Sequence, residues 1–269
     1  YYTFDDDSVN DSLGINNGTN SGTTNASGII SDSRYYDGSD DIALGFVPNA
    51  ENFTISMWVN INIDSLDGIL TTTPDDGDRN GILIRYVDVP ETLNVVVFDS
   101  DSATTDISTD AITLDTWYHL VLVHEESTAR LYLNGELNNT DATSSISAHD
   151  GNIYLGRYYQ DSTDKRLKGN IDEVGIWNRP LSASEIEELY NNGTGLQYPF
   201  GVVSVDFDYP PEENISSNVT PYTQEFFFNA TGFEEIITCR LYENDTIVNT
   251  TDYNIHNILA APVIESTTH

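Results

Sequence analysis

The chain has 269 residues, room for two ordinary domains or one large β-domain, and 11% of them are aromatic, enough to fill a core rather than leave a disordered polymer. Ten Lys and Arg face 44 Asp and Glu, a formal charge of -34, so the surface repels nucleic-acid phosphate and anionic lipid and excludes nucleic acid as a partner. Cys239 is the lone cysteine, which leaves neither an internal disulfide nor a cysteine-based zinc site and reads as a small buried hydrophobe.

From the N-terminus, Tyr2–Phe4 is expected to be a strand, and residues 8–33, rich in Ser, Asn, Gly and Thr, a long irregular loop. Strand-like runs follow at Ile42–Phe46, Phe53–Ile61, Gly81–Tyr86, Leu93–Phe98, Trp117–His124, Ala129–Leu133, Asn152–Gly156 and Asn170–Trp177. Short strands separated by Gly, Asn and Asp predict an antiparallel sandwich. In Phe53–Ile61, alternation places Phe53, Ile55, Met57, Val59 and Ile61 on one face and Trp58 on the other, so both faces carry apolar groups. A single helix is predicted to start at Ser182, with Glu185 completing a capping box and Leu181 and Ile186 forming a hydrophobic staple. Asn191-Asn192-Gly193 is expected to end it, and the helix to plug the end of the sandwich. No apolar run approaches the roughly 20 residues that cross a bilayer, so membrane insertion is not expected. The start at Tyr1, without Met or an apolar leader, reads as a processed chain.

Glycoside hydrolysis needs two opposed carboxylates, and no strand carries a Glu-X-Asp-X-X-Glu arrangement; Glu125-Glu126 and Glu187-Glu188 are adjacent pairs that cannot face one site. His119 lies within an apolar strand, where a core role is expected, so no catalytic residue is assigned. The tyrosine doublets Tyr35-Tyr36 and Tyr158-Tyr159 flank polar loops; one ring of each should point outward in an extended segment and offer a face to a sugar, or serve as rim beside a core partner. Lys165, Arg166 and Lys168 are expected to neutralise nearby acids. In "DDGDRNG", Asp76, Asp78 and Asn80 form the first half of a calcium-loop pattern, but Val87 holds the position where a bidentate Glu belongs, and a solvated hairpin is the competing reading. Asn-X-Ser/Thr triplets at Asn10, Asn17, Asn25, Asn52, Asn138, Asn192, Asn214, Asn218, Asn229, Asn244 and Asn249 occur at about twice the chance frequency. They are candidate glycosylation sites and, with the acidic charge, point to an extracellular or cell-surface location.

"YYTFDDD", "YYDGSDDIAL", "FTISMWVNI", "WYHLVLV", "RLYLNGEL", "IYLGR" and "LKGNIDEVGIWNRPLSASEIEELY" together resemble the laminin-G-like, concanavalin-A-like jelly-roll domains of secreted and surface proteins. The resemblance covers residues 1–197 and implies an all-β, antiparallel jelly-roll sandwich. It also implies a structural calcium ion at Asp172, reached by Asp5 and Asp6 or by Asp40 and Asp41; the alternative is that Asp172 accepts hydrogen bonds from a neighbouring loop. Residues 203–269 resemble the start of an immunoglobulin-like domain of the kind strung along microbial, particularly archaeal, surface proteins, though no early cysteine is present to pair with Cys239 and the domain is short. The expected function is non-catalytic: an adhesion module binding a glycan or surface protein. The alternative is a filament subunit that joins its copies by strand exchange through "NILAAPVIES".

Overall fold

The computed structural model describes residues 1–12, 14–45, 52–63, 65–72, 81–99, 102–143, 153–159 and 165–197, and, as backbone strands, 223–226, 237–243, 246–253 and 264–267. The chain divides into two compact units, Tyr1–Tyr198 and Pro199–His269. In the first, the described strands are β1 Thr19–Ser21, β2 Thr24–Ser27, β3 Asp32–Asp37, β4 Asp41–Leu44, β5 Asn52–Ile61, β6 Asp67–Thr71, β7 Gly81–Val87, β8 Thr92–Asp99, β9 Ser102–Ala111, β10 Trp117–Glu125, β11 Thr128–Leu133, β12 Glu136–Ala142, β13 Ile153–Leu155 and β14 Lys168–Trp177, followed by helix α1 Ala183–Tyr190. They form two seven-stranded antiparallel sheets, sheet I in the order β1-β4-β13-β6-β7-β8-β9 and sheet II in the order β12-β11-β10-β5-β14-β3-β2. This is the expected jelly-roll sandwich.

The core lies between the inner faces. Ile55 and Met57 of β5 stand opposite Leu122 and Leu120 of β10, and they pack with Ile82 and Ile84 of β7 and Val95 and Val97 of β8. Burying each such side chain stabilises the fold by roughly 1.5–3 kcal/mol. The expected N-terminal strand is absent: Tyr2 makes one isolated bridge to Val174, Phe4 turns into the left-handed region at φ 60°, and Asp5–Asp7 form a 3-10 turn. Both rings are buried in the core, so this segment contributes packing rather than a ladder. Residues 8–33 were expected to be irregular, yet they carry β1, β2 and the start of β3. β1 and β2 are short, polar, exposed edge strands, joined at a corner where Thr23 N donates to Asn20 Oδ1 at 3.0 Å. An edge strand needs no apolar alternation, and blunt polar edges discourage pairing with other chains.

At the opposite margin the two sheets are stitched together by side chains. Thr105 Oγ1 of β9 donates to the Ala142 carbonyl of β12 at 3.1 Å, and Asn139 Nδ2 donates to the Ser108 carbonyl at 3.0 Å. Asp110 N donates to Asn138 Oδ1 and Asn138 Nδ2 returns a bond to Asp110 Oδ2, both at 3.0 Å.

The helix has the predicted cap: Glu185 N donates to Ser182 Oγ at 3.3 Å and Ser182 N to Glu185 Oε2 at 2.7 Å. Asn191, left-handed at φ 47°, ends it. Its position differs from expectation. Tyr190 stacks on Trp58 of β5 at 5.7 Å and Leu181 N donates to Thr54 Oγ1 at 2.9 Å, so the helical segment covers the outer face of sheet II instead of an end of the sandwich. That cover is why β5 is buried on both faces.

In the second unit the backbone forms two strand pairs, β15 Thr223–Phe226 with β18 Ile264–Thr267 and β16 Ile237–Glu243 with β17 Thr246–Tyr253. The tail of "NILAAPVIES" thus pairs with a strand of its own chain.

Candidate functional site

The outer face of sheet I combines rings, cations and a polar ladder. In β7 and β8 the inward positions are Ile82, Ile84, Val95 and Val97; the alternate positions Leu83, Arg85, Asn94, Val96 and Phe98 therefore point out. Leu83, Val96 and Phe98 form a small apolar cluster with Tyr158 from the segment after β13. Arg85 Nη1 donates to the Tyr158 hydroxyl, and Arg85 Nε donates to Asn94 Oδ1 at 2.7 Å. The Asn94 amide donates in turn to Asp106 Oδ1 at 2.7 Å and Ser108 Oγ at 3.0 Å. Tyr159 stands edge-on to Tyr158 with centroids 4.7 Å apart and is half-buried, as is Tyr154 of β13. The Arg157 guanidinium lies 4.5 Å above the Tyr154 ring and Lys165 Nζ 4.7 Å from the Tyr158 centroid. A half-covered ring beside fixed donors and acceptors is the equipment that holds a sugar.

A second polar cluster sits at the bulge in β14. Asp172 and Glu173 follow each other, and a regular strand would send them to opposite faces; the register shift between Asp172 and Gly175, with Glu173 at φ 48°, re-aims them so that both are buried. Asp172 Oδ2 accepts from the Ile29 and Ile30 N–H groups at 2.9 and 3.3 Å, and Oδ1 accepts from Glu173 N at 2.9 Å. The hydrogen-bonding alternative for Asp172 is therefore realised. Gln197 Nε2 donates to Asp5 Oδ2 at 2.9 Å and approaches Glu173 Oε1 at 3.5 Å, the Tyr1 hydroxyl also bears on the Glu173 carboxyl, and Glu173 Oε2 is buried with no close hydrogen-bond partner among the described residues. Burial pushes the Asp172 carboxyl up to about 7 and that of Glu173 to about 8, with added repulsion between them and from Asp5. As a calcium locus the cluster offers one uncommitted buried oxygen, Glu173 Oε2, with Asp5 beside it. Among the described residues no three His, Cys, Asp or Glu side chains converge at ligand spacing.

The other predicted residues scatter. Asp41 bridges Arg157 at 2.8 Å and Arg166 at 2.6 Å, which bears out the expectation for Arg166 of the basic run but not for Lys165, and Asp40 Oδ2 accepts from Asp37 N at 3.0 Å; Asp41 lies in β4 of sheet I and Asp40 in the turn before it, whereas Asp172 lies in sheet II. Their role as calcium ligands beside Asp172 is corrected: arginines and the turn already occupy them. The Asp6 side chain and Asp76, Asp78 and Asn80 lie outside the described residues. Tyr35 is 38% exposed and Tyr36 fully buried, so Tyr36 is a core residue and not a ligand platform. Tyr158, 6% exposed, is likewise a support for Arg85 and Tyr159 rather than an outer face. The doublets lie apart: Tyr35 and Tyr36 are in β3 of sheet II, and Tyr158 and Tyr159 are in the segment after β13 of sheet I. His119 is buried, its Nε2 2.8 Å from Ser56 Oγ, its ring against both Trp58 and Tyr190. Among the described residues its Nδ1 has no acceptor, and burial lowers its pKa to about 3, so this serine–histidine pair lacks the acid and the access that a nucleophile needs. Of the candidate glycosylation sites, Asn10, Asn17, Asn25, Asn52 and Asn192 are exposed and Asn138 is half-buried in the β9–β12 stitching; Asn214, Asn218, Asn229 and Asn244 and the Asn249 side chain lie outside the described residues.

Arg85, Asn94, Asp106, Tyr154, Arg157 and Glu173 were not singled out from sequence. The readable signal was a polar residue in the middle of an apolar alternation: Arg85 in "GILIRYV" and Asn94 in "TLNVVVF".

Comparison with known proteins adds the family. A laminin G profile described as the concanavalin A-like lectin/glucanases superfamily matches residues 36–187, more than half of the chain. Among solved structures, domain 4 of AbnA, an extracellular GH43 arabinanase of Geobacillus stearothermophilus in complex with arabinotriose, is 20% identical with a TM-score of 0.55, over 69% of this chain and 94% of that one. The binding domain of botulinum neurotoxin serotype D is 15% identical with a TM-score of 0.58, over 71% of this chain and 51% of that one. Trypanosoma rangeli sialidase in complex with 2,3-difluorosialic acid is 14% identical with a TM-score of 0.52, over 67% of this chain and 30% of that one. These likenesses establish the fold. Comparison with curated proteins found no match.

Proposed function

The chain belongs to the concanavalin A-like lectin/glucanase superfamily, and on that premise we propose that it is a non-catalytic glycan-binding module of an extracellular surface protein. The observation that carries the reading is the outer face of sheet I, where half-buried Tyr159 stands edge-on to Tyr158 at the end of the Arg85–Asn94–Asp106 ladder and half-buried Tyr154 lies on the same sheet. The fold also serves an arabinanase domain that holds arabinotriose, and it serves a sialidase, so fold alone does not choose between binding and hydrolysis. What supports binding is that three of the described acids are occupied: Glu125 pairs with Arg130 at 2.8 Å, Glu185 with Arg179 at 2.6 Å, and Asp41 with two arginines. The extracellular location rests on the -34 charge and the Asn-X-Ser/Thr triplets, and the second unit is an immunoglobulin-like spacer in this reading. A glycan array probed with the full chain and with Tyr159→Ala tests it. Selective binding that falls about tenfold or more in the variant is expected; equal binding by both, or none by either, overturns it.

A structural calcium ion belongs to the same proposal. Glu173 would be its side-chain anchor, with Asp5 adjacent, and its charge would offset the repulsion among Asp5, Asp172 and Glu173. Adding calcium to chelated protein should raise the thermal midpoint by several degrees, and Glu173→Gln should abolish that rise. A midpoint indifferent to calcium removes the ion from the reading. The filament alternative would need Ile264–Thr267 to leave its pairing with Thr223–Phe226. A monomer in calcium-containing, high-salt buffer by sedimentation is the expected result.

A further inference from the structure

The chain has only ten Lys and Arg side chains; three of them, Arg85, Arg157 and Lys165, lie against Tyr154 or Tyr158 on sheet I, and Arg166 joins Arg157 at Asp41. Arg157 and Arg166 share Asp41. The other two are held more loosely among the described residues. Lys165 is exposed, with Nζ 4.7 Å from the Tyr158 centroid and no carboxylate partner among the described residues. The Arg85 guanidinium lies 5.7 Å from the same centroid, and its Nη2 is 3.9 Å from Asp106 Oδ2, beyond hydrogen-bond distance. Asp106 itself is 60% exposed and already accepts from Asn94. The remaining described carboxylates of this region face elsewhere: Asp37 and Asp40 close the turn before β4, and Asp67 is buried against Ser65.

Two like charges held against one phenol ring repel each other, and among the described residues Lys165 meets no carboxylate and Arg85 only the 3.9 Å pair with Asp106. An incoming anion would relieve that repulsion. Resting on the glycan reading above, we propose that this face selects a carboxylate-bearing sugar, a uronic-acid unit of a polysaccharide, whose carboxylate is received by Lys165 and Arg85 and whose ring lies against Tyr159. The acidic remainder of the surface does not forbid this. At physiological ionic strength charges are screened beyond about 8 Å, whereas a contact pair in a half-buried site is screened far less. The general repulsion weakens while the local attraction persists.

Titration calorimetry of the full chain with galacturonate, mannuronate and glucuronate tetrasaccharides, each beside its methyl ester, tests the proposal. At least one acid should bind about tenfold or more tightly than its ester, the worth of one charge-assisted hydrogen bond. Lys165→Gln should erase that preference and Lys165→Arg should keep it; Lys165 is exposed, so neither change threatens folding. Esters or neutral glycans binding as well as every acid would overturn the proposal and leave the glycan reading standing, and so would an acid preference unmoved by Lys165→Gln. Binding of no sugar, acidic or neutral, would overturn both.

Discussion

Asp172 and Glu173 show how one backbone irregularity changes the chemistry of two side chains. With burial raising their carboxyls to about 7 and about 8, the folded protein holds protons that an unfolded chain, with carboxyls near about 4, has already released. The folded state binds more protons across that interval, so stability is greatest below about pH 4 for this pair and is lost as pH climbs toward 8. Thermal midpoints measured in chelator should therefore fall between pH 5 and pH 8, and Glu173→Gln should flatten the decline. His119 behaves oppositely: burial lowers its pKa to about 3, so its ring resonances should stay fixed between pH 5 and 8. The candidate glycan acceptors also sort by geometry. Asn10 and Asn192 are exposed with no side-chain hydrogen bond among the described residues, whereas the Asn138 amide is spent on Asp110. Mass spectrometry of protein from a glycosylating host should find Asn10 or Asn192 occupied ahead of Asn138.

For whole elements, what could be read depended on whether the sequence itself states the local rule. The α1 cap is written in four consecutive positions, Ser182 to Glu185, and formed as written. Its loss is measurable: Ser182→Ala should cost about 1 kcal/mol in urea denaturation, and Trp58→Ala beneath Tyr190 about 3–5 kcal/mol. β12, "ELNNTDA", and β1 and β2 escaped notice because edge strands exposed to water carry no apolar alternation. The tyrosine doublets divide on the same ground. Tyr35 and Tyr36 lie in β3 and obey strand alternation; Tyr158 and Tyr159 follow β13 in a non-strand segment, and Tyr158 turned inward to Arg85.

Across the whole molecule, the jelly roll was legible because strand spacing and the closing "IDEVGIW" segment are properties of contiguous sequence. The candidate site was not. The Arg85–Asn94–Asp106 ladder reaches Tyr158, and through it Lys165, only because sheet I holds β13 in one sheet with β7, β8 and β9, and no local pattern encodes that order. The charge of -34 acts at this scale too. Its self-repulsion should make the thermal midpoint rise between about 0.01 M and 1 M sodium chloride, where the screening length shrinks from about 30 to 3 Å; a flat or falling profile would count against it. The lacing of β9 to β12 by Thr105, Asn138 and Asn139 has an outcome of its own. Side chains that span this flank leave little room for a foreign backbone to add itself there, so concentrated preparations should fail to seed amyloid and should stay dark with thioflavin T, until Asn138→Ala and Asn139→Ala loosen the lacing.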